Sequence, residues 1–395
     1  MRTVLRFFGK FFKWTLIALG VLLILANAFI LISGRTYIYK AVACTYLVGQ
    51  SGPGILDLEY FPKREVANQI AEPWPVHPDY ASAKLLPEQQ KILDQYKSTS
   101  FLIFRRDTLV LEYYTGGFDE HTVSNSFSMA KSLVSLLCGI AIDEGKIKGV
   151  DQPVSDFIPS FAEGEKSKLT LWHLLTMSAA TDWSESGGNP LSHNAEAYYG
   201  WDLEGMIEDT KVEGEPGKKF YYQSGITLIL GYCVYKATGV PLAEYASEKV
   251  WKNIGAEQPA YWSLDKEGGL EKSYCCLYAT GRDFARLGKL YMHAGAWNGK
   301  RIVSSDWVQQ SITPAELIDE DGSKNQRYGY QWWITQYEGK KVFYMRGILG
   351  QYVICYPEED LIIVRTGHKR GRKQNDTPVE IDDYIRIAKE VTNAL

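Results

Sequence analysis

The sequence predicts an α+β fold whose first and last strands share one antiparallel sheet, and three observations point there. Two strand-like runs come early, at residues 101–104 and 109–114. The middle of the chain is dominated by apolar, helix-forming stretches. Four strand-like runs come late, at 328–335, 341–344, 351–356 and 361–366, and a helix pattern over 380–395 closes the chain. Strands at both ends with helices between them fit a helix-flanked sheet.

Composition bounds the rest. The chain has 395 residues, 45% hydrophobic and 23% charged, enough for one large globular domain or two smaller ones. A formal charge of −4 leaves no basic footprint for nucleic acid. Six cysteines show no pairing framework, and we read them, Cys275 and Cys276 included, mostly as small buried apolar residues. The six histidines lack metal-ligand spacing, so no metal site is expected.

Residues 1–13 form a basic segment carrying Arg2, Arg6, Lys10 and Lys13. An uncharged run then spans residues 14–33. A 19-residue helix over 14–32 would measure roughly 28 Å, the thickness of a bilayer core. The excess of Arg and Lys before it places the amino terminus in the cytoplasm and the rest periplasmic or extracellular, a single-pass protein of the cytoplasmic membrane. Ala26-Asn27-Ala28 has the form of a signal-peptidase site, the rival reading. The apolar run continuing past it through Ile32 favours an uncleaved anchor.

Residues 34–85 read as an extended arm, because Pro53, Pro62, Pro73, Pro75 and Pro78 forbid long helices. Tyr60, Trp74 and Tyr80 suggest that the arm packs on the main domain, 86–395. There the elements follow in order. Residues 87–96 read as a helix, with Ile92, Leu93 and Tyr96 on one side. Residues 105–108 turn a short hairpin. A nearly uncharged helix covers 133–142 and ends near Gly145. Shorter helices follow at 170–177, 225–238, 241–251 and 280–292. Residues 181–200, polar, aromatic and Gly-rich, read as a long surface loop bordering a cleft.

The chemistry gathers at Ser128-Met129-Ala130-Lys131, where a polar approach meets an apolar helix. Residues three apart at a helix start share a face, so the Lys amine can take the Ser proton. Ser263-Leu264-Asp265-Lys266 has the same spacing but lies in a polar stretch expected to be a loop. A Lys at its reference pKa of about 10.4 is no base at pH 7; it needs desolvation or a neighbouring cation. A Tyr hydroxyl suits the second proton step. Tyr222, with Ser224 two residues on, precedes a buried helix as Ser128 does; Tyr245 lies inside a helix and is the poorer choice. An oxyanion needs backbone N–H donors. Ser128 supplies one, and Ile348, beside Gly347 between two strand-like runs, supplies the other. Trp183, Tyr198 and Tyr199 are candidates to line the cleft.

These motifs, in this order, resemble those of the penicillin-recognising serine hydrolases: class C β-lactamases, DD-peptidases and related esterases and amide hydrolases. Ser128-Met-Ala-Lys131 matches their Ser-x-x-Lys. Tyr222-Gln-Ser224-Gly225 matches the Tyr-x-Asn region with Ser224 in the Asn place, and leans toward the 6-aminohexanoate-dimer hydrolase and esterase branch. The resemblance covers roughly residues 85–395 and implies an all-helical subdomain beside the sheet. It also implies Ser128 as nucleophile, Lys131 and Tyr222 as general base and acid, Ser224 as a supporting hydrogen-bond donor, and no metal or organic cofactor. The third motif departs: where the family has Lys or His, then Thr or Ser, then Gly, this chain has Met345-Arg346-Gly347. That weakens recognition of a β-lactam carboxylate. The expected activity is hydrolysis of an ester or amide in a small molecule or peptide. The alternatives are a β-lactamase or DD-peptidase acting on cell-wall peptides, and a non-catalytic module binding cell wall or a partner.

Overall fold

A computed structural model describes residues 2–374 and 376–395. Met1, Asn375 and the side chains of residues 2–6, which include Arg2 and Arg6, lie outside the described residues. Helix α1 (Arg2–Ile32) leaves Phe11, Trp14, Leu22, Leu25 and Leu31 exposed, and its stretch Phe7–Ile32 is long and apolar enough to cross a membrane. An apolar helix near an amino terminus is a membrane span or a signal sequence.

The arm holds more regular structure than its prolines suggest. Helix α2 (Tyr37–Cys44) packs on α6, described below, and Tyr37 donates a hydrogen bond to the carbonyl of Pro190. Strand β1 (Lys63–Val66) has no alternating pattern; it forms because its backbone pairs with β5. Trp74 is buried, while Tyr60 stays exposed.

Helix α3 (Pro87–Gln95) leads into the hairpin of β2 (Ser98–Arg105) and β3 (Thr108–Tyr114). Its two-residue turn, Arg106 and Asp107, has positive φ at both positions, the twist a tight hairpin requires. After β4 (Ser124–Asn125) comes α4 (Ala130–Asp143), buried on nearly every side and so a core helix. Helices α5 (Leu171–Leu175), α6 (His193–Tyr199), α7 (Leu203–Asp209), α8 (Ser224–Thr238) and α9 (Leu242–Lys249) make up the helical middle, with α4, α5 and α9 packed on α8. Strands β5 (Ala260–Ser263) and β6 (Leu277–Ala279) complete a small four-stranded sheet, order β1-β5-β6-β4, that no sequence pattern announced.

Helix α10 (Gly281–Met292) starts at a Thr280 cap and packs on the main sheet. A minimal hairpin, β7 (Ala296–Trp297) and β8 (Lys300–Arg301), and helix α11 (Ser305–Ser311) lead to β9 (Trp333–Tyr337), β10 (Lys340–Gly347), β11 (Gln351–Tyr356) and β12 (Leu361–Gly367). The main sheet has order β3-β2-β12-β11-β10-β9. Antiparallel pairing of β2 with β12, Ile103 opposite Ile363, joins the two ends of the chain as expected. Strands β11 and β12 are buried throughout, which explains their unbroken apolar runs. A short pair, β13 (Lys373–Gln374) with β14 (Thr377–Pro378), precedes α12 (Glu380–Asn393).

Three expectations need correction. The strand expected over 328–335 starts only at Trp333. Residues 328–332 turn instead, Gln331 at φ 63°, because the buried Gln331 amide serves the carbonyls of Leu174 and Leu175 at the end of α5. Residues 181–200 are not simply a surface loop: they contain α6, whose Tyr198 and Tyr199 are buried. Cys275 and Cys276 are bonded to each other as a disulfide between neighbours in sequence, whereas Cys44, Cys138, Cys233 and Cys355 are free and buried.

Candidate active site

Ser128 sits in a single 3₁₀ turn (Phe127–Met129) that feeds directly into α4. The turn is held from outside. Phe127, at φ 44°, donates its N–H to the Asn125 side chain at 2.8 Å, and Asn125 in turn donates to the Tyr278 hydroxyl at 3.0 Å. Positive φ in a non-Gly residue is uncommon and persists where the surroundings impose it. The end of β10 closes against this turn. A Cβ on Gly347 would lie 2.3 Å from the Ser126 carbonyl oxygen and 3.2 Å from Phe127 Cβ, so only Gly lets the strand come this near. Ile348, next in sequence, borders the same pocket as Ser128.

One turn of helix onward, Lys131 points back at the Ser. Its Nζ lies 3.0 Å from Ser128 Oγ, 3.1 Å from Ser224 Oγ and 2.7 Å from the carbonyl oxygen of Tyr274. Only 1% of Lys131 is exposed. Burial lowers its amine to about 7, with the charge of Glu185 pulling upward and that of Arg346 downward. A neutral amine has two N–H bonds and one lone pair. The Tyr274 carbonyl and Ser224 hydroxyl accept the two N–H bonds, which leaves the lone pair for the Ser128 proton.

Glu185 was not foreseen. Its carboxylate accepts from both the Ser224 N–H and the Ser224 Oγ, each at 2.7 Å. Ser224 Oγ therefore spends its proton on Glu185 and offers its lone pairs to Lys131. The stretch around Glu185 reads only as polar loop, and a carboxylate 39 residues before its partner leaves no local pattern. Removing its charge leaves the amine with less to hold a proton. Glu185→Gln is therefore expected to move the acid limb of the kcat/KM profile to lower pH, read from initial rates on an activated ester across pH 5–9.

Tyr222 lies beside Ser128, near enough for the Ser128 hydroxyl to act on its phenol. Its ring packs on Tyr328 and Trp333, and Lys131 Nζ lies 5.2 Å from the ring centre. Burial first, then the Glu185 charge, raises the phenol well above its ordinary range. The hydroxyl keeps its proton at neutral pH, which suits a donor rather than a base.

The other predicted residues divide. Tyr198 and Tyr199 line the pocket next to Ser128. Trp183 stands behind it, under Gly225, where a Cβ would meet the indole at 2.2 Å; its Nε1–H donates to Asn194 at 2.8 Å. Arg346 is 7% exposed, stacked 3.3 Å from the centre of the Trp333 ring and bonded to the Asp376 carbonyl at 2.6 Å. The competing motif fails on access, since Ser263 is fully buried inside β5. Tyr245 is tied to Glu144, at 3.0 Å. Among the described residues no group of three His, Cys, Asp or Glu side chains could hold a metal ion.

The family model described as Beta-lactamase matches residues 89–383. This chain belongs to the beta-lactamase family. Members of this family with its fold are serine hydrolases, and the chain is an enzyme of that class. The 6-aminohexanoate-dimer hydrolase of Paenarthrobacter ureafaciens is 29% identical over 305 residues, 72% of this chain and 76% of the relative. A Bacillus anthracis structure provisionally assigned as a 6-aminohexanoate-dimer hydrolase superposes with a TM-score of 0.72 at 26% identity, over 85% of this chain and 92% of that one. A family VIII carboxylesterase shares the fold, with a TM-score of 0.60 at 18% identity, over 78% of this chain and 98% of that one.

Proposed function

We propose that this beta-lactamase-family protein is a membrane-anchored hydrolase that cleaves an ester or amide through an acyl-enzyme on Ser128. The observation that carries this is the Lys131 amine, 3.0 Å from Ser128 Oγ with its other two partners already in place. Ser128 Oγ attacks the carbonyl carbon as Lys131 takes its proton. The oxyanion is met by the backbone N–H groups of Ser128 and Ile348. Collapse breaks the bond to the leaving group, which takes a proton from Tyr222, and the Lys131 ammonium then restores the Tyr222 proton. Water attacks the acyl-enzyme by the same route in reverse and frees Ser128.

Arg346 stands where the family motif has Thr or Ser, and it is engaged by Asp376 and Trp333. That supports esters or simple amides over β-lactams or cell-wall peptides as substrates. The apolar helix α1 supports the anchor, and the Cys275–Cys276 disulfide suits an oxidising compartment outside the cytoplasmic membrane. The proposed partners are accordingly the bilayer, through α1, and a small-molecule or peptide substrate.

The test is a fluorophosphonate probe applied to the native protein, with the labelled residue located by mass spectrometry. A single adduct on Ser128 is expected; a folded protein that takes no label there refutes the nucleophile and favours a binding module. Nitrocefin turnover comparable to ester turnover would restore the β-lactamase alternative. Because the amine must be neutral to accept a proton, kcat/KM for an activated ester is expected to rise with pH through about 7 and then level off.

A further inference from the structure

Two dissimilar spaces border the residues of the site, one at Ser128 and one at Tyr222. One, of about 130 Å³, is bordered by Ser128 and Ile348 and walled mainly by Phe127, Ala195, Tyr198, Tyr199, Tyr274 and Cys275 of the disulfide. The other, of about 860 Å³, is bordered by Tyr222 and lined by charged groups, among them Glu185, Asp319, Arg327, Arg346 and Asp376. Ser128 belongs to the small apolar space and Tyr222 to the large charged one.

That division orients the substrate. The acyl carbon must bond to Ser128 Oγ with its oxygen toward Ile348, so the acyl group lies on the side those two residues border. The leaving group must take its proton from Tyr222, so it departs on the Tyr222 side. We propose that the substrate joins a short, apolar acyl group, held in the aromatic pocket beside the disulfide, to a polar alcohol or amine received by the charged cleft. This rests on the acyl-enzyme reading above and adds to it the chemistry of both halves.

Size follows from volume. A water-sized sphere occupies about 10–15 Å³, so a pocket of about 130 Å³ takes on the order of ten such groups. Acyl chains of roughly four to eight carbons fit that room. Each methylene that enters the pocket should raise kcat/KM by about fourfold. A chain that outgrows the pocket gains nothing further and collides with its wall. The cleft is more than six times larger and lined by both signs of charge, so it discriminates by polarity more than by length.

The experiment uses the full chain in detergent and has two series. For p-nitrophenyl esters, kcat/KM is expected to climb from acetate to hexanoate and to fall at least tenfold by dodecanoate. For butyrate esters followed by proton release, those of lactate and choline should be cleaved at least fivefold faster than that of 1-hexanol. Ala195→Phe, which fills the pocket, should lower hexanoate at least tenfold more than it lowers acetate. Tyr199→Leu, which enlarges it, should move the optimum to longer chains. A flat acyl series, or hexyl butyrate cleaved as fast as the polar esters, overturns the assignment. Labelling of Ser128 by the fluorophosphonate distinguishes that failure from failure of the hydrolase reading, because the label requires the nucleophile and neither subsite.

Discussion

Ser128→Ala is expected to lower kcat/KM for an activated ester by about 10⁴-fold or more, the scale of removing the nucleophile from other serine hydrolases. The geometry makes the loss specific. Ser128 Oγ is the atom to which the Lys131 amine bonds, and Tyr222 lies beside it. Ala leaves both groups in place with nothing to act on. Folding should be little affected, because Lys131 keeps its bonds to Ser224 Oγ and the Tyr274 carbonyl. A single lost hydrogen bond at a partly open site costs only about 1 kcal/mol. Lys131→Ala should fall by a comparable factor, and the double variant scarcely further, since the two act as one unit. Circular dichroism establishes that each variant is folded, and ester turnover reads the effect. Wild-type activity in Ser128→Ala would end the acyl-enzyme reading.

Much of this site was legible because its parts are local. Ser128 and Lys131 share one helical turn, and a three-residue spacing is all that a sequence needs to announce them. The main-sheet strands and the core helices α4, α8 and α10 were legible for the same reason: each carries its own periodicity or an unbroken apolar run. What stayed hidden depends on partners far along the chain. Glu185 acquires its role only when residues 181–200 fold over the start of α8. Strand β1, with the sequence Lys-Arg-Glu-Val, is a strand only because β5 lies beside it. The Cys275–Cys276 disulfide was hidden for another reason, since adjacent cysteines fit no spaced framework.

Arg346 fills neither of two roles open to a cation at this place in the motif. A substitute for the family's motif cation should reach freely into the cleft, and a solvated strand residue should be exposed. Arg346 is only 7% exposed, its guanidinium over the Trp333 ring and tied to Asp376, which Arg327 also contacts at 2.7 Å. Its influence on the site is electrostatic: after burial, its charge helps to lower the Lys131 amine. A residue that departs from the family pattern thus still acts on the Lys131 amine.

Gly347→Ala is expected to lower kcat by about 10²–10³-fold, the cost of losing one oxyanion donor, while the protein still folds. Gly347 has an ordinary extended backbone, φ −117° and ψ 157°, so the reason is space and not conformation. An added Cβ would meet the Ser126 carbonyl oxygen at 2.3 Å, Gln351 Cβ at 3.0 Å and Phe127 Cβ at 3.2 Å. Two of those contacts belong to the turn that carries Ser128, and the first is backbone that cannot swing aside. The strand and the turn must part, and the N–H of Ile348 moves away from the place where the oxyanion forms. Overpacking of this kind costs about 1–3 kcal/mol of stability, a fall in Tm that thermal unfolding reads. Ile348→Ala is the companion variant. Its side chain is 43% exposed and its N–H survives the change, so kcat should stay within about fivefold of wild type even where the altered pocket wall changes KM. Should folded Gly347→Ala keep its kcat, or Ile348→Ala lose as much, the oxyanion site does not lie at the end of β10.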